Sequence, residues 1–189
     1  MSVYDTIRSD DRENTEFGLF LSVLINKNLK AGEKVQITTS IPVDYLFYKL
    51  ENVEAHVNIA GRYLGSEAKN SKIYADEAGD NTGESMERCE LHVKTADDSL
   101  GSRAKNSKIY ADKAGDNTGE FMENCKLYVK EVYYNLGDSA KNSKIYADDL
   151  EGNLAGNILK GNNTVYLGKE SYEKFLGYHG KVEIWKKKT

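Results

Sequence analysis

The sequence has little of what marks membrane, secreted or nucleic-acid-binding proteins. Its 26 basic residues are outnumbered by 30 acidic ones, for a formal net charge of −4, so nothing gives it a general affinity for DNA or RNA. The longest apolar run, residues 19–25 with a serine inside it, is far shorter than the roughly 20 residues that span a bilayer. The acidic start MSVYDTIRSDDREN lacks the pattern of a secretory signal. We therefore expect a cytoplasmic protein that binds neither membrane nor nucleic acid.

Proline and cysteine are also scarce, with one and two residues respectively, whereas glycine occurs 16 times. A chain with so little proline must turn with glycine and asparagine, which adopt positive φ at low cost. The apolar fraction of 39% is enough for one narrow core. These totals predict a single domain over residues 1–189.

An internal repeat dominates the middle of the chain. The phrase AKNSKIYAD begins at Ala68, Ala104 and Ala140, and aligning its surroundings shows a shorter, 18-residue unit. The units are 64–81, 82–99, 100–117, 118–135 and 136–153, each with glycine second and isoleucine or leucine tenth. Stretch 46–63 fits the same frame more loosely, and 154–171 begins in frame and then slips.

An 18-residue unit with one short strand pattern is typical of one coil of a parallel β-solenoid. In SKIYAD, Ile109 and Ala111 face one side of the strand, and Lys108, Tyr110 and Asp112 face the other. Glycine at the second position and asparagine at the seventh supply the positive φ that corners require. The sequence therefore predicts an all-β parallel β-helix with 18-residue coils.

Charge alternates at two positions of the coil. The sixth position reads Glu51, Lys69, Glu87, Lys105, Glu123 and Lys141, and the thirteenth reads Asp76, Lys94, Asp112, Lys130 and Asp148. Equivalent residues of stacked coils lie roughly 4.8 Å apart. Opposite charges at that spacing attract, and a slip by one coil would place like charges together. The alternation thus favours one register.

The two ends differ from the middle and are predicted to be caps. Residues 1–45 form the N-terminal cap, with a helix from an N-cap at Asn14 or Thr15 through Ile25 and a first strand within 33–41. Residues 46–167 form the coils. Residues 168–189 form the C-terminal cap, where SYEKFLGYHG predicts a short helix and KVEIWKKKT a closing strand.

The phrase AGDNTGEFMENCKLYVK, residues 114–130, resembles the recurring pattern G-N-A-G-D-x-x-G-x-x-M-x-G-G-x-I-x-V of the G-x-G-x-G (GXGXG) β-helix domain family. The matching residues are Ala114, Gly115, Asp116, Gly119, Met122, Leu127 and Val129. That domain is the C-terminal part of the glutamate synthase large subunit and forms one of the subunits of formylmethanofuran dehydrogenase. The resemblance implies a right-handed parallel β-helix that holds other parts of a complex in place and performs no chemistry, and the short helical caps follow from the residue pattern at its ends.

Few residues are candidates for catalysis. Cys89 and Cys125 share one coil position two coils apart, about 10 Å, which exceeds the roughly 7 Å limit for a disulfide. We expect both to pack in the core, like the serines at equivalent sites. His56 and His92 are separated in the same way and do not form a chelate, and His179 stands alone. We expect no catalytic residue, metal or cofactor.

Aromatic residues recur at the eleventh, outward position of the coil. The position begins with His56 and continues with Tyr74, His92, Tyr110, Tyr128 and Tyr146, which form a possible partner-contact strip. Aromatic rings stacked along a sheet support neighbouring coils without any ligand. Tyrosine is also common at protein-contact hot spots, and both roles can hold at once. Lysines 72, 108, 126 and 144 beside the strip make single-stranded nucleic acid a minor alternative.

Two classes of function remain. The first is a non-catalytic structural subunit that binds protein partners or a second copy of itself. The alternative is an enzyme, in particular an acyltransferase on a left-handed β-helix, whose coils contain three hexapeptides that each open with an aliphatic residue. In coil 100–117 only the hexapeptide LGSRAK complies, and the strict period leaves no room for the protruding histidine loop of such enzymes. The scaffold is the favoured prediction.

Overall fold

The strands of the protein form one continuous parallel sheet. The computed structural model describes residues 11–174 and 182–184, and the nine strands in this part of the chain pair in chain order. They are β1 Lys34–Ile37, β2 Glu54–Ile59, β3 Lys72–Ala78, β4 Glu90–Ala96, β5 Lys108–Ala114, β6 Lys126–Val132, β7 Lys144–Leu150, β8 Thr164–Leu167 and β9 Val182–Ile184. Each strand belongs to one coil of a β-solenoid, which confirms the predicted fold class.

The register follows the 18-residue period from β2 to β7. Ile73 pairs with Leu91, which pairs with Ile109, and these side chains are fully buried. The outward residues of the same strands alternate with them along each strand. Burial of one face of every strand against the opposite wall of the coil thus fixes the register that the sequence period predicts.

The corners of the coils depend on residues with positive φ. Gly101 has φ 67° and Asn106 has φ 51°, as the sequence predicts for the second and seventh positions. Coils 64–81, 82–99, 100–117 and 118–135 each contain two further left-handed residues, such as Arg103 at 57° and Asn117 at 56° in coil 100–117. A Cβ on Gly101 would lie 2.3 Å from Cδ1 of the buried Ile109, so any other residue at this corner would displace that side chain and would also have to adopt positive φ.

Helix α1, Asp11–Asn28, covers the N-terminal end of the core. The predicted N-cap at Asn14 or Thr15 is wrong, because both residues lie inside the helix. Asn14 instead donates to the carbonyl of Pro42 at 2.9 Å and accepts from the backbone N–H of Asp44 at 3.2 Å. Ser22 bridges the carbonyl of Tyr45 and the N–H of Tyr48 in the same way. The helix thereby satisfies backbone groups that the first coil would leave exposed.

The C-terminal end departs from the 18-residue period where the sequence frame slips. Lys144 pairs with Thr164 and not with Asn162, which the period would place opposite it, because a 3₁₀ helix, Ile158–Gly161, lengthens this coil. Helix α2, Lys169–Lys174, confirms the start of the predicted short helix, and β9 confirms the closing strand over 182–184. The rest of both predicted elements, His179 and the lysines at 186–188 lie outside the described residues. None of the helices in 11–174 has the length and apolarity to cross a bilayer.

Candidate binding face on the parallel sheet

The outward face of the sheet carries an unbroken stack of aromatic rings, here called the aromatic strip. Its members are His56, Tyr74, His92, Tyr110, Tyr128, Tyr146 and Tyr166. Successive ring centroids are 4.4–5.0 Å apart, and the planes are within 13° of parallel. All seven side chains are half-buried. The strip exists because every strand from β2 to β8 places its third residue at the same height on the sheet.

All five residues of the predicted contact strip lie in this stack, with His56 before them as expected. Tyr166 extends the stack by one ring, and the sequence period missed it because the lengthened coil places it beyond the 18-residue interval from Tyr146. The sequence feature that could have predicted Tyr166 is the alternating segment TVYL of β8, whose inward residues Val165 and Leu167 are buried.

The stacking decides what the aromatic strip can offer to a ligand. Each inner ring has both of its faces covered by its neighbours, so only ring edges and the tyrosine hydroxyls reach solvent. Nucleobases bind to aromatic residues through their faces, and the widest centroid spacing, 5.0 Å between Tyr110 and Tyr128, leaves no gap for a base. The strip therefore offers hydrogen-bonding groups and apolar edges, and the geometry does not favour base stacking.

A groove of about 570 Å³ runs along the strip. The rings form one wall, and the alternating thirteenth position of the coil forms the other. Lys94 contacts Asp76 at 2.6 Å, and Lys130 contacts Asp112 at 2.5 Å, which confirms the alternation predicted there. At the sixth position the coils stack as predicted, but the ion pairs of the described residues do not join two members of that position.

Carboxylates orient both histidines of the strip. Nε2 of His56 donates to Glu54 at 2.9 Å, and Nε2 of His92 donates to Glu90 at 2.8 Å. Hydrogen bonds from Lys34 and then His56 lower the pKa of Glu54 to about 2. The bond to His92 likewise lowers the pKa of Glu90. These carboxylates are ionised at neutral pH, so each histidine N–H is the donor.

The C-terminal half of the face has a different composition. The ninth position, which alternates from Lys34 through Glu54, Lys72 and Glu90 to Lys108, continues with Lys126 and Lys144. Lys108, Lys126 and Lys144 pair directly in register and are all exposed. We call these three residues the lysine column. It lies beside Tyr110, Tyr128 and Tyr146, and the ion pairs within 11–174 and 182–184 do not include its members.

The two cysteines are buried inside the coil and do not lie on the outward face. The N–H groups of Cys89 and Cys125 donate to Oγ of Ser107 and Ser143 at 3.0 Å. The N–H groups of Ser71 and Ser107 donate to the cysteine sulfurs at 3.5 Å. Both cysteines are free and buried, and burial raises the pKa of both thiols. They are structural acceptors for backbone N–H groups, and protonated thiols are poor nucleophiles.

Acidic residues at the seventeenth position also have a structural role. Asp80 accepts from the N–H of Asp98, and Asp98 accepts from the N–H of Asp116, at 3.1 and 2.8 Å. Asp44 binds the N–H and guanidinium of Arg62 similarly. Within residues 11–174 and 182–184, no three His, Cys, Asp or Glu side chains are grouped closely enough to hold a metal ion.

The chemistry available on this face is limited. A carboxylate-oriented histidine such as His92 can act as a general base, but its ring lies between those of Tyr74 and Tyr110. The neighbouring residue Cys89 points into the core. This face therefore exposes ring edges, hydroxyls and charged side chains.

Comparison with known proteins adds no relative to this picture, since no family model, curated protein or solved structure matches the chain.

Proposed function

We propose that this protein is a non-catalytic β-solenoid that acts as an assembly subunit, with the aromatic strip as its contact surface for a protein partner. The observation that carries the proposal is the strip itself, seven aligned rings on a nine-stranded sheet. A surface held in place by the sheet loses little conformational freedom when it binds, which favours association. This matches the role that the resemblance to the GXGXG domain family implies.

The composition of the face supports a protein partner. Tyrosine edges and hydroxyls, apolar ring carbons and flanking charges are the groups found in protein–protein contacts. The half-buried rings need little reordering to make such contacts. The strip also supports neighbouring coils, and this structural role is compatible with docking because it uses the ring faces while docking uses the edges.

The test is purification of the tagged chain from its native cells, with Tyr110→Ala and Tyr128→Ala as strip variants. Tyr134→Ala is the matched control, because Tyr134 is half exposed and lies outside the strip. We expect a protein in stoichiometric amount with the wild type and the control, and its loss from both strip variants at unchanged circular dichroism. A chain that stays a lone monomer in native extracts, or strip variants that keep the partner, would disprove the proposal.

A further inference from the structure

The lysine column is the one place on the described sheet face where an established charge alternation stops. From β1 to β5 the ninth position alternates Lys, Glu, Lys, Glu, Lys, and the thirteenth alternates from β3 to β7. At β6 the ninth position requires an acid to continue the pattern, and it has Lys126. Like charges directly opposite each other destabilise a sheet, so Lys126 is unfavourable for the fold by itself.

The surroundings do not compensate for this charge. Lys126 pairs with Lys108 on one side and Lys144 on the other, and Lys144 pairs in turn with Thr164. Glu90 lies in register with Lys108, but its carboxylate is bound to His92 at 2.8 Å. Asp112 on the far side of the ring is bound to Lys130. Glu90 and Asp112 are therefore already held by a hydrogen-bond donor and by a cation, respectively.

Hydroxyl donors accompany the lysine column. Tyr110, Tyr128 and Tyr146 are two residues further along the same strands, so their side chains share the outward face with the lysines. Burial raises the pKa of Tyr110 and of Tyr146, so their hydroxyls remain protonated at neutral pH. Ammonium and phenol groups are both hydrogen-bond donors to carboxylates.

We infer that the lysine column, with Tyr110, Tyr128 and Tyr146, is a docking site for a short acidic peptide segment of a protein partner. The inference rests on the proposed function and names the chemistry of its partner. Three coils span about 10 Å, the length of about three extended residues, so two or three carboxylates saturate the site. The net charge of −4 and the carboxylates Glu54 and Glu90 further along the face disfavour a long polyanion. Single-stranded nucleic acid would also need the ring faces that stacking covers.

The decisive variant is Lys126→Glu, which restores the alternation. Its probe is a fluorescein-labelled hexaglutamate peptide, measured by fluorescence polarisation in 50 mM salt, with hexaglutamine as the uncharged control peptide. We expect hexaglutamate to bind the wild type, with at least tenfold weaker binding to Lys126→Glu and at least fivefold weaker binding at 0.5 M salt. Lys30→Glu, an equal charge change at an exposed residue far along the chain, should bind as the wild type does.

Several outcomes would overturn the inference. Absence of hexaglutamate binding, equal binding to Lys126→Glu, or an equal loss in Lys30→Glu would each do so. Inorganic polyphosphate and oligo(dT) serve as competing ligands, and Lys126-dependent binding of either without hexaglutamate binding would assign the site to another class of ligand. Lys126→Gln is the second variant if the reversal of charge prevents folding, and it should weaken binding at least threefold.

Failure of this inference is separable from failure of the proposed function. If the native partner is lost from Tyr128→Ala but retained by Lys126→Glu, the aromatic strip mediates assembly and the lysine column does not. If hexaglutamate binds as expected but no partner is recovered with the wild type, the site binds acidic peptides while the assembly proposal fails.

Discussion

The two halves of the sheet face differ in how their charges are balanced. In the N-terminal half, Glu54 and Glu90 each bind the histidine two residues further on, and Lys72 lies between them in register. In the C-terminal half, Lys108, Lys126 and Lys144 follow one another at the ninth position without an acid between them. Both halves share the same backbone, ring spacing and core. One repeat can thus supply both a face whose charges pair within the chain and a face with a run of like charges.

The cost of the second arrangement is small, which explains why the fold tolerates it. Two like charges about 5 Å apart interact by roughly 1 kcal/mol or less in water, and lysine side chains can spread apart in solvent. The core beneath both halves is closed by fully buried Ile73, Leu91, Ile109 and Leu127. Burial of one such side chain contributes about 1.5–3 kcal/mol. The fold can therefore accommodate this surface charge pattern, because most of its stability comes from the buried core.

The largest loss of stability is expected from a substitution in the buried core that both halves share. Leu127→Ala in β6 leaves a cavity beneath Tyr128, and removal of a fully buried leucine costs about 2–5 kcal/mol. We expect about 3 kcal/mol lower free energy of unfolding, measured by urea denaturation followed by circular dichroism. The exposed neighbour Lys126→Ala is the control and should change it by less than about 1 kcal/mol. A loss no larger than that of the control for Leu127→Ala would contradict a continuous packed core at this coil.

The second-largest loss of stability is expected when the charge pattern of the N-terminal half is changed into that of the C-terminal half. Glu90→Lys removes the acceptor of His92 and places a lysine in register between Lys72 and Lys108, so the ninth position becomes a run of five lysines from β3 to β7. We expect a loss of about 1–2 kcal/mol in the free energy of unfolding, from the lost charged hydrogen bond and the new repulsion. Glu90→Gln keeps an acceptor and should lose about half as much. Equal stability of Glu90→Lys and wild type would show that the alternation contributes nothing.

Most of the fold follows from the sequence because the period and the alternation specify one register. Ile109 and Tyr110 occupy opposite faces of their strand as predicted, and the free cysteines follow from the spacing of two coils. The left-handed conformation of Arg103 was not predictable, because arginine has no preference for positive φ. It is imposed by the backbone bonds to neighbouring coils, such as that from Arg103 N–H to the carbonyl of Glu120.

The aromatic rings of the candidate site could be predicted from the sequence, whereas its Glu–His pairs were not predicted. The eleventh position of each coil predicts the stack from His56 to Tyr146, and Tyr166 falls outside this period because residues are inserted before it. The Glu–His pairs could have been predicted from the sequence, because residues i and i+2 lie on the same face of a strand. The hydrogen bonds from Asn14 to the first coil could not, because they depend on where the helix docks in three dimensions.

The converse substitution, Lys126→Glu, is expected to change the free energy of unfolding by a smaller amount. Lys126→Glu gives the C-terminal half the alternation of the N-terminal half, so it should raise the free energy of unfolding by about 0.2–1 kcal/mol. Thermal melts at low salt measure the change, which 0.5 M salt should reduce. Lys30→Glu should not stabilise the protein. A destabilised Lys126→Glu would mean that the lysine column already has a favourable role within the chain.

The smallest expected difference appears only in acid. Glu54 is a carboxylate with a folded pKa of about 2 against an unfolded value of about 4.3. Its contribution to stability is present above the unfolded value and is lost as pH falls through about 4.3 towards 2. The ninth position of the C-terminal half has no carboxylate between β5 and β7 and should show no such loss. Hydrogen exchange of β2 and β6 peptides from pH 5 to pH 2.5, corrected for intrinsic rates, measures the difference.

Glu54→Gln separates this local effect from general acid unfolding. The amide cannot titrate, so β2 of the variant should be less protected than in the wild type at pH 5 and should change less between pH 5 and pH 2.5. Protection of β6 should follow the same course in both proteins. Parallel loss of protection in β2 and β6 of the wild type would mean that the coils unfold together in acid, and the charge balance of each half would then have no separate effect on local stability.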